Sequence, residues 1–254
     1  ARVTGVQTCA LPIYVMSKNP VYISRRNFLK VGAFTAAMAT LSVPAFAASD
    51  EENCFRKITA QRDTQYGPVQ GVDQGDSLVW YGIPYGAAPV GDLRWQAPQD
   101  PAAWSNVKDC TQVSPVAYQY SSGPIGTEDC LKLDVYTTPN AHKLPVLVFI
   151  HGGNNQTGNT KEILGSELVV RDNCVFVTID YRLGLFGFNC LPALHRGSDD
   201  TGNFTLLDIA KALDWVRDNI AQFGGDPDNI TVSGFSAGGR DVMAMLASPM
   251  FAGR

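Results

Sequence analysis

Ile230-Thr231-Val232-Ser233-Gly234-Phe235-Ser236-Ala237-Gly238-Gly239-Arg240 decides how this chain is read. Its β-branched start, Ile230 to Val232, is a strand signal, and Arg240 to Leu246 follows as a helix. Between them Gly234 and Gly238 flank Ser236, supplying the small residues that a sharp strand-to-helix turn needs. Such a turn, a nucleophile elbow, holds a serine hydroxyl clear of the backbone beside a helix N-terminus, where this otherwise poor nucleophile can act. A bare Gly-X-Ser-X-Gly match also arises in glycine-rich turns. The strand before it and the helix after it favour the elbow.

Asn203 to Gly224 carries Leu206, Ile209, Leu213, Val216, Ile220 and Phe223 at helical spacing, which predicts an amphipathic helix. Gly224-Gly225-Asp226-Pro227 ends it, because glycine takes the left-handed cap and proline cannot continue the turn. Pro145 to Ile150 is an unbroken apolar run that predicts a buried parallel strand, and Cys174 to Asp180 predicts a second at a spacing suited to a crossover. The first of these opens into His151-Gly152-Gly153-Asn154-Asn155. Its glycines allow close backbone approach, and loops of this kind supply oxyanion-hole amides alongside the residue after the nucleophile, here Ala237. A plain tight turn is the alternative for Gly152 and Gly153. Helices alternating with parallel strands make the fold class α/β.

Longer blocks add a family resemblance. Glu128-Asp129-Cys130-Leu131-Lys132-Leu133-Asp134-Val135-Tyr136 resembles the second signature of type-B carboxylesterases, the cholinesterase and para-nitrobenzyl esterase group. Asp180-Tyr181-Arg182-Leu183-Gly184, Phe223-Gly224-Gly225-Asp226-Pro227 and Ser236-Ala237-Gly238-Gly239 match other blocks in the family's order. Tyr81 to Gly86 and Leu93-Arg94-Trp95 resemble its early blocks. The resemblance runs from about Arg56 onward. It implies an α/β-hydrolase fold, with residues 48–254 as its N-terminal part and a small antiparallel sheet leading into the active-site rim. It further implies hydrolysis of a small-molecule carboxylic ester through an acyl-enzyme on Ser236, with Gly153, Asn154 and Ala237 as oxyanion donors and no cofactor.

Three features depart from the family pattern. Phe235 stands where the family usually has a glutamate, and Asn154 stands where it has a third glycine. Asparagine tolerates unusual dihedrals, so its amide remains usable, with Gly153 and Ala237 the firmer donors. In this fold the triad follows the order Ser, Asp or Glu, then His, yet His142, His151 and His195 all precede Ser236. The expectation is an N-terminal piece whose triad acid and histidine lie beyond Arg254 and which is inactive by itself. His151 belongs to the oxyanion motif and shapes its loop, while His142 and His195 read as loop histidines rather than metal ligands. A non-catalytic adhesion module of the same family and an inactive remnant are the other classes, and thioester or peptide substrates would suit the same elbow.

Ser24-Arg25-Arg26-Asn27-Phe28-Leu29-Lys30 resembles a twin-arginine export signal, followed by the apolar Val31 to Phe46 and an Ala45-Phe46-Ala47 cleavage pattern. Residues 16–47 are therefore expected to be removed after the export machinery reads Arg25 and Arg26, leaving a periplasmic or secreted chain. A membrane anchor is the alternative, but Thr35, Thr40, Ser42 and Pro44 interrupt a run already short for a span. Residues 1–15 resemble adapter or cloning sequence and are excluded from the fold reasoning. A composition of 45% hydrophobic and 17% charged residues with formal net charge −4 suits a globular enzyme, and no basic face calls for nucleic acid.

Leaving out Cys9, the cysteines are Cys54, Cys110, Cys130, Cys174 and Cys190, without the paired spacing of a zinc site. In the family the position of Cys130 usually pairs with an upstream cysteine, which makes Cys110 the candidate partner. Two points weigh against the pair. Cys110 is offset by a few residues, and twin-arginine substrates fold before reaching an oxidising compartment. Cys174, in an apolar run, reads as a buried thiol.

Overall fold

The computed structural model describes residues 57–58, 61–163, 165–194 and 201–252. The expected export segment at 16–47, residues 1–15, Cys54 and His195 lie outside the described residues.

Seven strands form the main sheet: β1 (Lys57–Ile58), β4 (Val72–Asp73), β5 (Leu78–Pro84), β9 (Lys132–Thr137), β10 (Leu144–Ile150), β11 (Val175–Ile179) and β12 (Gly225–Gly234). Their spatial order is β1-β4-β5-β9-β11-β10-β12. The pairs from β1 to β11 are antiparallel, whereas β10 runs parallel to both β11 and β12. Helix α1 (Gly165–Asp172) links β10 to β11, and α2 (Gly184–Gly187) and α3 (Phe204–Asn219) lie between β11 and β12. This is the expected α/β architecture.

The small sheet differs from expectation. β2 (Arg62–Thr64) and β3 (Gly67–Gln70) pair antiparallel, but β3 and β6 (Lys108–Asp109) pair parallel, so the sheet is mixed; β7 (Gln119–Tyr120) and β8 (Pro124–Ile125) form a separate antiparallel pair. The longer antiparallel strands β5 and β9 join the main sheet instead, because Val79, Trp80, Ile83, Leu133 and Val135 are all fully buried and need cover on both faces.

Alternation along the strands divides the core in two. Val146, Val148 and Ile150, with Val175, Val177 and Ile179, face a cluster closed by Ile209, Leu213, Val216, Ile220 and Phe223. Leu147, Phe149 and Phe176 face the other side, against Val169 of α1 and Tyr136. Strand period two is what sends neighbours to opposite clusters. The helix expected over 203–224 is α-helical from Phe204 to Asn219 and then tightens to a 3₁₀ turn, Ile220–Phe223, with Gly224 at φ 85° as its left-handed cap. Regular pairing of β12 with β10 begins at Ile230↔Val146, where the sequence placed the strand. The stretch between Gly225 and Ile230 is an irregularity that accommodates Pro227, which lacks a ladder donor.

Arg182 ties α3 to the end of β11. Its Nη2 and Nε donate to the two carboxylate oxygens of Asp208 at 2.6 and 2.8 Å, and Nη1 donates to the Gln96 carbonyl at 2.8 Å. Both partners of this ion pair are buried.

Candidate active site

The register of the three parallel strands sets the site. Ile150 pairs with Ile179 on one side and Gly234 on the other, so β10, β11 and β12 end level. His151, Asp180 and Phe235 therefore leave the sheet side by side at its carboxyl edge, the end where open α/β sheets place ligands.

Ser236 sits at the tip of the elbow with φ 52° and ψ −110°. A non-glycine residue holds such a backbone only when its surroundings impose it, at a cost of about 1–3 kcal/mol. The surroundings are two glycines in close contact. A Cβ on Gly234 would lie 2.3 Å from the Gly238 carbonyl carbon, and one on Gly238 would lie 2.1 Å from the Ile150 oxygen. Helix α4 (Ala237–Ala247) starts directly after the serine, three residues earlier than its sequence suggests. Ser236 is exposed, and its hydroxyl makes no hydrogen bond among the described residues.

The loop after β10 comes against this elbow: a Cβ on Gly152 would sit 3.2 Å from the Ser236 Cβ. Gly153, Asn154 and Asn155 all have positive φ, 95°, 58° and 56°. Asparagine is the residue type that tolerates this, as the sequence suggested for Asn154. The turned Gly153 carbonyl accepts the amides of Gln156 and Thr157, both at 3.0 Å. The Gly152 amide donates to Glu162 Oε2 at 3.0 Å, so it is already spent. The amides of Gly153, Asn154 and Ala237 make no hydrogen bond among the described residues, and the elbow brings the two segments that carry them together.

Side chains lock the loop from both sides. Asn155 Nδ2 donates to Asp241 Oδ1 at 2.9 Å, Arg240 Nη2 donates to Asn154 Oδ1 at 2.7 Å, and the Gly184 amide donates to the Asn155 carbonyl at 2.6 Å. Gln119 closes the far end, donating to the Gly158 carbonyl and accepting the Gly158 amide. Arg240, Asp241, Asn155 and Glu162 escaped the sequence reading. The one available signal was the adjacency of two polar pairs, Asn154-Asn155 and Arg240-Asp241, in the segments flanking the site.

Behind the loop, His151 is fully buried and stacked on Tyr181, ring centroids 4.3 Å apart. Its Nδ1 lies 2.9 Å from the Gly152 carbonyl, and the Tyr181 hydroxyl donates to the His151 carbonyl at 2.7 Å. Burial holds its pKa below the usual histidine value, so it stays neutral and shapes the loop. The carboxyls beneath it are pushed the other way by burial: Asp134 up to about 6 and Asp180 well above the ordinary range. His142 is exposed at the opposite end of the sheet. None of the described histidines bonds to Ser236.

Cys110 and Cys130, the candidate disulfide pair, are both buried and unbridged in the structure. The Cys110 backbone is held between Gln70 and Tyr81, while Cys130 lies by Arg182 and Phe186, so the two side chains have different surroundings. Burial pushes the Cys110 thiol up to about 12. Among the described residues no group of three or more His, Cys, Asp or Glu side chains is placed to hold a metal, and no helix is long and apolar enough to cross a membrane.

The sequence profile of the carboxylesterase family matches residues 59–254. The chain belongs to the carboxylesterase family. It is 44% identical over 197 residues to para-nitrobenzyl esterase of Bacillus subtilis (strain 168), covering 73% of this chain and 40% of that protein. It is 37% identical over 230 residues to fumonisin B1 esterase of Sphingopyxis macrogoltabida, covering 86% and 41%. A solved para-nitrobenzyl esterase superposes with TM-score 0.71 at 44% identity, covering 76% of this chain and 41% of the other. The Geobacillus stearothermophilus carboxylesterase EST55 gives 0.72 at 39% identity, covering 77% and 41%. The fold of this carboxylesterase-family chain is the α/β-hydrolase fold, and the chain spans about two fifths of the length of these relatives.

Two cavities differ in their place on that fold. One of about 440 Å³, lined by Thr138, His142, Gly224 and Asp226, lies where β10 and β12 begin, at the opposite end of the sheet from Ser236. The other, about 680 Å³, opens beside the loop that follows β10, between Asn154 and Phe186.

Proposed function

We propose that the complete protein hydrolyses carboxylic esters through an acyl-enzyme on Ser236. The observation that carries this reading is the strained, exposed Ser236 at the head of α4, set against a loop whose Gly153 and Asn154 amides are unbonded among the described residues. In the proposed reaction Ser236 Oγ attacks the ester carbonyl carbon while a histidine outside the described residues takes its proton. The carbonyl oxygen becomes an oxyanion held by the amides of Gly153, Ala237 and Asn154. Collapse of that intermediate expels the alcohol, protonated by the same histidine. Water then attacks the acyl-serine by the reverse sequence and releases the acid.

Relatives named for para-nitrobenzyl and fumonisin B1 esterase activity support a small-molecule ester as substrate. An adhesion module would have no use for backbone strain at a serine, which is why the enzymatic reading is preferred over a binding one. The Arg25-Arg26 segment supports export by the twin-arginine route, and cell fractionation with and without Arg25→Lys and Arg26→Lys tests it. The central test is labelling of the complete protein by a fluorophosphonate. Label on Ser236, lost in Ser236→Ala together with ester turnover, is the expected result, whereas turnover that survives Ser236→Ala overturns the proposal.

A further inference from the structure

The cavity beside the oxyanion loop is walled by Tyr118, Leu183, Leu185, Phe186 and Phe188, and among its lining residues Arg240 alone is charged. Arg240 stands one helical turn after the nucleophile, its amide bonded to the Ser236 carbonyl at 3.2 Å. Side chains on a helix lean back toward its N-terminus, and this one does so, reaching Asn154 Oδ1 at 2.7 Å. A guanidinium offers five N–H donors and Asn154 occupies one of them. Arg240 is exposed and forms no ion pair among the described residues. Its tether fixes the cation beside the pocket in which a carbonyl oxygen would sit, against an apolar wall that weakens screening.

Neither neighbouring carboxyl forms an ion pair with it among the described residues. Asp241 is 4% exposed and is engaged with Asn155, and Glu162 is engaged with the Gly152 amide. The residue before the nucleophile, Phe235, is uncharged and 66% exposed. A substrate entering along this wall therefore meets one positive charge, carried by the residue one helical turn after the serine and tethered to Asn154 of the loop beside it.

We propose that Arg240 is a specificity-determining residue that favours esters carrying a carboxylate a few atoms from the scissile carbonyl, half-esters of short dicarboxylic acids being the simplest. The inference rests on the Ser236 hydrolase reading. The guanidinium receives the substrate carboxylate through charge-assisted hydrogen bonds, while the remaining chain of the acyl group lies on the aromatic wall. Chemistry at Ser236 is unchanged.

The test compares kcat/KM of the complete protein for monoethyl glutarate and for ethyl pentanoate, which has a methyl group in place of the terminal carboxylate. The ratio of the two within one preparation cancels differences in folded fraction and in oxyanion-loop order. Arg240→Gln is expected to lower the glutarate-to-pentanoate ratio about tenfold to a hundredfold, the worth of a charged hydrogen bond. Arg240→Lys keeps part of it, and added salt narrows the wild-type ratio. A ratio that Arg240→Gln leaves within about twofold of wild type, with ethyl pentanoate still turned over, overturns the charge selection and leaves the hydrolase reading standing. A protein inert to both esters overturns the hydrolase reading and this inference with it.

Discussion

Removing the Asp241 carboxyl tests whether the proposed oxyanion loop is held from the helix that follows Ser236. Asp241 is buried, and its Oδ1 accepts the Asn155 side-chain amide at 2.9 Å. Asn154 and Asn155 are both left-handed, at φ 58° and 56°, a conformation that costs an L-residue about 1–2 kcal/mol each. The loop stays there because its side chains are tied down. Asp241→Ala removes one tie and strands a half-buried amide donor, a penalty of about 1–3 kcal/mol at most. Complete loss of one oxyanion donor costs about a hundredfold to a thousandfold, and a loosened donor costs less. At about tenfold per 1.4 kcal/mol, kcat of the complete enzyme should fall about tenfold to thirtyfold. KM should move by less than about threefold, since these amides bond the transition state more strongly than the ground state. Asp241→Asn keeps an oxygen acceptor and should stay within about threefold of wild type in kcat. Steady-state kinetics on a 4-nitrophenyl ester, with thermal melts to confirm folding, read both variants. A kcat for Asp241→Ala within about twofold of wild type refutes the positioning role, as does an Asp241→Asn variant as impaired as the alanine.

Gly238→Ala puts a Cβ 2.1 Å from the Ile150 oxygen. It should lower the melting temperature by about 4–12 °C or abolish soluble expression, and a wild-type melt would show that the elbow can open. Arg182→Met leaves Asp208 buried without its partner and should cost about 3–5 kcal/mol by denaturant unfolding, partly recovered by adding Asp208→Leu. A single-variant loss below about 1 kcal/mol would show that water reaches the pair. Asp134 holds its proton in the folded chain up to about pH 6, whereas the unfolded chain releases it near 3.8. Stability from this group is therefore full below pH 3.8 and is lost as the pH rises to about 6. Asp134→Asn should gain on wild type in melting temperature across that window and hold its advantage above it, and a difference independent of pH would refute the burial argument. Thiol titration of the denatured, unreduced protein should count Cys110 and Cys130 as free, and protection of both from the reagent would restore the disulfide.

The local features were legible because they depend on neighbours in sequence. The apolar runs at 145–150 and 174–180 predicted β10 and β11 to within a residue or so, since a strand covered on both faces must be apolar throughout. Gly224 as a cap and Gly234 and Gly238 around Ser236 were equally visible, because each answers a backbone requirement that only glycine meets there. The start of α4 was misplaced, since Gly238 and Gly239 carry no helix propensity and contact with the sheet imposes the helix on them. The small sheet was read as antiparallel because strand direction depends on distant partners, here β3 with β6.

Sequence by itself determined the α/β class and the strand-turn-helix around Ser236. The tertiary structure decided that the Gly152 amide is already bound to Glu162, while the amides of Gly153, Asn154 and Ala237 make no hydrogen bond among the described residues. It also decided that Asn154 meets Arg240 and Asn155 meets Asp241 across a sequence separation of 86 residues. Those contacts exist because β10 and β12 are paired in a register that ends both at the same level. A shift of one residue would send every side chain on β12 to the other face of the sheet, and nothing in either segment alone specifies the alignment.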